Sequence, residues 1–178
     1  MLNLKNYNNF NNISDKKAVG IVYHFTTPKN LIKILEEDRM ASGHKHISFT
    51  RSFDLKNWYE DYGAYCRITF DGSGLSDRFR IEPYLFDPVK DPLFGGGSPA
   101  TYKDRRIMYG IEREERIKAE EITGMCKYII QVDILNTQVK YDSKNNIEAL
   151  EKLGSEPFVS MGIPFNYVNK FEPMRIHI

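Results

Sequence analysis

The sequence predicts an α+β fold, one domain built on a mainly antiparallel sheet with a few helices. Three observations predict it. Short apolar runs of strand composition recur along the chain, most clearly over residues 19–25 and 128–134. Helical patterns are few and do not alternate regularly with the strands, which argues against a doubly wound sheet. No internal repeat and no second composition regime divides the 178 residues, a length suited to one domain.

The elements follow in order. Residues 1–17 are rich in Asn and Lys and read as an N-terminal arm, because Asn side chains compete for nearby backbone groups. Residues 19–25 (Val-Gly-Ile-Val-Tyr-His-Phe) form a strand. Thr26-Thr27-Pro28 then supplies a cap and a first-turn proline, and Leu31, Ile32, Ile34 and Leu35 follow at helical spacing. Residues 47–50 are a second strand, and 53–59 a helical turn or helix. Residues 65–70 are a third strand, ended by Asp71-Gly72-Ser73-Gly74. A fourth runs over 78–84 and is stopped by Pro83. Residues 87–101 hold three Pro and three consecutive Gly and read as a long loop. The charged segment 107–117 is strand or helix. Residues 128–134 are a strand, 146–153 a helix ended by Gly154, and 174–178 a last strand.

Composition removes several function classes. With 25 basic and 24 acidic residues, no broad electrostatic pull toward nucleic acid or an anionic membrane is expected. Two cysteines, Cys66 and Cys126, make neither a disulfide framework nor a zinc site; both are expected as buried free thiols in strand-like runs, in a reducing compartment. No apolar run approaches the roughly 20 residues of a membrane span. The first residues lack the apolar core of a signal peptide, so a cytoplasmic location is expected.

Three constellations carry possible chemistry. In Tyr23-His24-Phe25-Thr26 a histidine at a strand end precedes a hydroxyl at a helix start, a place for a polar ligand. In Ser48-Phe49-Thr50-Arg51-Ser52 three hydroxyls and an arginine cluster where a strand ends, and a guanidinium fork suits phosphate. In Glu112-Arg113-Glu114-Glu115-Arg116, a strand would set Glu112 and Glu114 on one face and Glu115 on the other. Two carboxylates on one face can divide the work of sugar chemistry. Each has a structural alternative: a satisfied histidine, a solvated loop, and a helix with the Glu112–Arg116 spacing of a surface pair. His44-Lys45-His46 lacks a third metal ligand, so no metal is expected, and Gly95-Gly96-Gly97-Ser98 lacks the strand and lysine of a phosphate loop.

In this order the three constellations resemble the ADP-ribosyltransferase superfamily, most of all its DNA-modifying toxin type (DarT-type toxins). Tyr23-His24-Phe25-Thr26 with Asn30-Leu31-Ile32-Lys33-Ile34-Leu35 looks like the opening of that type. Arg51 stands, as there, just after the second strand, and Glu114 matches a catalytic glutamate at the head of a late strand. The chain also looks like small phage-encoded proteins with a Tyr-His-x-Thr start and a Glu-x-Glu-(Asp/Glu)-Arg segment. The resemblance covers about residues 20–135. It departs from the toxin type in the Glu114-Glu115-Arg116 cluster and in the target-recognition loop, for which residues 87–105 are the only candidate.

The resemblance implies a split pair of mainly antiparallel sheets with NAD, as substrate, in the cleft. Residues 18–135 would form the catalytic core and 136–178 a C-terminal extension. His24, Thr26, Tyr23, Ser48 and Thr50 would bind NAD, with Arg51 at the pyrophosphate or nicotinamide end. Glu114 would bond the ribose 2′-hydroxyl and stabilise an oxocarbenium-like transition state, and Glu112, the second catalytic carboxylate, would activate or orient the acceptor. The acceptor would be a host macromolecule, a protein somewhat before a nucleic acid. The alternative is an inactive relative that binds a nucleotide or a protein partner, for example to inhibit a host defence system. A metal nuclease would have to use Asp71, Asp77 and Glu82, which form no motif.

Overall fold

The computed structural model describes residues 20–43, 45–54, 63–83, 114–135 and 144–174. Nine strands and three helices appear among them: β1 (Ile21–Thr26), α1 (Pro28–Glu37), β2 (Arg39–Ala41), β3 (Ile47–Thr50), β4 (Cys66–Asp71), α2 (Gly72–Arg78), β5 (Ile81–Pro83), β6 (Glu114–Ile117), β7 (Glu121–Thr123), β8 (Ile129–Leu135), α3 (Lys144–Leu153) and β9 (Phe165–Val168). Seven strands form one sheet in the order β5-β6-β3-β1-β4-β8-β9, and β2 and β7 form a small antiparallel ribbon. Every neighbouring pair in the large sheet is antiparallel except β8–β9. The fold is therefore α+β and mainly antiparallel.

β1 lies in the middle of the sheet, and side-chain clusters cover both of its faces. Val22 packs in the larger core with Leu31, Ile32, Ile34 and Leu35 of α1, Leu75 of α2, and Ala149, Leu150 and Leu153 of α3. All three helices thus lie on one face, called here the helix face. Tyr23 and Phe25 point the other way, into a smaller cluster with Ala64, Tyr65, Leu135 and Phe171. This two-sided burial explains why residues 19–25 read as a nearly unbroken apolar run. α1 begins where the sequence signals it: the Thr27 side chain accepts from the Asn30 N–H, and Pro28 opens the first turn.

Several expectations change. The third strand ends at Asp71 as expected, but the chain goes straight into α2, which Asp71 caps, its carboxylate accepting from the Gly74 N–H at 3.0 Å. That helix consumes Arg78, so the fourth strand shrinks to Ile81–Pro83. Cys126 lies in a 3-10 turn, half-buried, rather than in a strand, whereas Cys66 is fully buried in β4; neither forms a disulfide. The helix expected over 146–153 is α3. The last described strand is β9, and residues 171–174 continue without strand structure; 175–178 lie outside the described residues. So do the N-terminal arm, most of the helix expected over 53–59, the loops at 87–101 and 87–105, and the segment 107–113.

Candidate functional site

A cleft of about 260 Å³ opens on the helix face between α1, β2 and β3. His24 and Thr26 of β1, Asn30, Lys33 and Glu37 of α1, Arg39, Ser42 and Ser48 supply its polar lining. Its volume is slightly below the roughly 300–1,000 Å³ of drug-sized ligand sites. It has room for part of a dinucleotide.

His24 is half-buried beside Phe49, with ring centroids 6.2 Å apart in an edge-to-face arrangement. Its Nδ1 lies 2.9 Å from the Ser48 carbonyl oxygen. A carbonyl only accepts, so the proton sits on Nδ1 and the Nε2 of the neutral ring is an acceptor. Burial pushes the His24 pKa below the ordinary imidazole value, outweighing the Ser48 carbonyl, which pulls it up. A ligand meeting this ring must present a hydroxyl or N–H. At the other wall Arg39 is held by Glu37 and Glu121, each at 2.6 Å, which raise its pKa and occupy its charge.

The second feature is an ion pair. Arg51 Nε donates to Glu115 Oε1 at 2.5 Å, and the Glu115 side chain is 1% exposed. Strand register explains the placement. In β3–β6, Phe49 pairs with Glu115 and Thr50 with Glu114. In β1–β3, Tyr23 pairs with Thr50, which sets His24 beside Phe49. His24, Phe49 and Glu115 therefore form one row across three strands on the helix face, the outer two separated by two strand spacings, about 10 Å. Thr26 and Arg51 share that face by alternation.

The residues expected to form the site are thus divided. His24, Thr26 and Ser48 line the cleft, while Arg51 with Glu115 lies along the same sheet face and outside the cleft's lining. Tyr23 is on the opposite face, where its ring stacks on Arg67 at 4.9 Å and its hydroxyl accepts from the Met174 N–H. Thr50 is buried there too, its hydroxyl accepting from the Ser52 N–H at 2.9 Å. Strand position Glu114 pairs with Thr50 and belongs to that row. Glu112 lies outside the described residues. His44 does as well, and no group of three metal-ligating side chains occurs among the described residues.

Sequence reasoning passed over Glu115, and its signal was present. Ile117, two residues on, is a core residue, so period-two alternation turns Glu115 inward. It also gave no site role to Asn30 and Lys33, which it quoted only as part of a helix motif, or to Arg39 and Ser42, which no motif marks.

No protein-family model matches the chain, and no curated protein is similar to it in sequence.

Proposed function

We propose that this protein is an NAD-dependent ADP-ribosyltransferase acting on a macromolecule, with Glu115 in the place the motif pattern assigns to Glu114. One observation carries the proposal. The segments that resemble the superfamily, spread over some 90 residues, lie on three adjacent strands (β1, β3 and β6), and His24, Thr26, Arg51 and a carboxylate share one face. Alternation makes that carboxylate Glu115. In this arrangement the cleft takes one nucleoside portion of NAD, with His24 Nε2 accepting from a hydroxyl. The C–N glycosidic bond breaks, nicotinamide leaves with the bonding pair, and the acceptor attacks the ribose carbon and loses its proton. In this proposal Glu115 would stabilise the oxocarbenium-like centre once the ligand draws Arg51 onto its phosphates. The acceptor is a host protein or nucleic acid, the near-neutral charge favouring a protein.

A second function is favoured by one feature. Glu115 is already engaged by Arg51 and closed to solvent, as suits a relative that binds a nucleotide without turnover. Nicotinamide release separates the two, measured on wild type, Glu115→Gln and Glu114→Gln with and without cell lysate. The transferase predicts release that falls at least about a hundredfold in Glu115→Gln and persists in Glu114→Gln, the scale of removing one group that stabilises transition-state charge. A thermal shift with NAD or another nucleotide, and no release by folded wild type, would replace it with the binding protein.

A further inference from the structure

A buried polar network lies on the sheet face opposite the cleft. Arg67 of β4 and Asp133 of β8 are each 2% exposed. Arg67 Nε and Nη2 donate to Asp133 Oδ2 at 3.2 and 2.6 Å. Asp133 also accepts from the amides of Gln131 and Asn166, so the guanidinium is anchored to three strands. Its remaining nitrogen, Nη1, donates to two carbonyls from distant parts of the chain, Phe53 O and Glu172 O, each at 2.7 Å. The rings of Tyr23 and Phe171 stack on it at 4.9 and 5.0 Å, and Phe171 packs edge-to-face on Phe25 at 5.3 Å.

We propose that Arg67 is a positioning residue that couples residues 171–174 to the turn carrying Arg51. Phe53 is two residues beyond Arg51, and its carbonyl is held by the same nitrogen that holds Glu172. Phe171 and Glu172 cover that nitrogen and keep water from it, which strengthens its bond to Phe53. The C-terminal segment is thus a strap that fixes where Arg51 stands, although it lies on the far face of the sheet. The use made of Arg51 rests on the transferase proposal; the coupling itself does not.

Amide hydrogen exchange on the full chain tests the coupling. The Ser52 amide, bonded to Thr50 Oγ1, reports on the turn, the Ile68 amide on the central strands, and the Val132 amide, bonded to the Pro164 carbonyl, on the β8–β9 side of the sheet. In Phe171→Ala, exchange at Ser52 should rise roughly tenfold or more while Ile68 and Val132 keep their protection, the scale expected from weakening one charge-assisted bond. Arg67→Lys should do the same with Phe171 intact, because an ammonium can keep Asp133 but cannot reach both carbonyls as a planar fork does. Unchanged exchange at Ser52 in both variants would overturn the coupling, and so would an equal rise at all three amides. If Phe171→Ala does not fold, Arg67→Lys decides by the same comparison. Nicotinamide release is followed alongside. A wild type that releases none ends the transferase proposal and leaves exchange to judge the strap.

Discussion

Breaking the buried pair from its two ends should cost different amounts. Removing one partner of a buried ion pair destabilises a protein by about 3–5 kcal/mol, because the other charge is left without compensation. Arg67→Met leaves Asp133 with donors from Gln131 and Asn166, so its cost belongs at the low end, about 3 kcal/mol. Asp133→Leu leaves the buried guanidinium without its counter-charge and removes the acceptor of both amides, and belongs at the high end, about 5 kcal/mol. At about 2–4 °C per kcal/mol for a chain of this size, the Tm falls by about 6–12 °C and 10–20 °C respectively. The double variant Arg67→Met/Asp133→Leu removes both charges. It should recover at least about 2 kcal/mol relative to Asp133→Leu alone, a non-additivity expected only of partners in contact. Urea unfolding with unchanged slope gives each value. If Asp133→Leu lies within about 1 kcal/mol of wild type, or the single costs simply add in the double variant, the pair is not the anchor described.

Other expectations follow from single contacts. Thr27→Ala removes the cap on the Asn30 N–H and should cost about 1 kcal/mol in urea unfolding; no change would mean that water replaces the cap. The His24 pKa is lowered by folding, so the unfolded chain binds this proton first. Its contribution to stability is fully present above the unfolded value near pH 6.5 and is lost as pH falls from there toward and through the folded pKa. His24→Phe should flatten that part of the stability-against-pH curve, and an unchanged curve would show that His24 is not the group responsible. Cys126 has its thiol pushed up to about 12, first by burial and then by Asp38. Iodoacetamide at pH 8 should therefore leave it unlabelled in the folded protein and label it in urea; equal rates in both would contradict the burial.

Much of the local structure was legible because it depends on near neighbours. The Thr27 cap, the Pro28 start and the apolar stripe of Leu31, Ile32, Ile34 and Leu35 specify α1 within ten residues. β1 and β8 were legible from apolar runs long enough to be buried on both faces. Asp71-Gly72-Ser73-Gly74 marked the strand end but hid the helix after it, because two glycines weaken any helical pattern, and Leu75, buried in the core, holds that helix to the sheet. β2, β7 and β9 were missed because three- and four-residue edge pieces carry little periodicity and owe their form to partners far away in sequence.

For the site, the sequence alone determined which residue types were available and, through alternation, which of them share a strand face. His24 with Thr26, and Glu115 with Ile117, follow from a period of two and need no coordinates. Only the tertiary structure decided which strands are neighbours. It placed β3 between β1 and β6, which brings Glu115 into the row of His24. It also joined Arg67 to Phe53 and Glu172 across 14 and 105 residues. The physical reason is that strand pairing is a long-range contact. Its partner is selected by burial of the whole sheet, and the cost of closing the intervening loops rises only slowly with their length, so no local pattern records it.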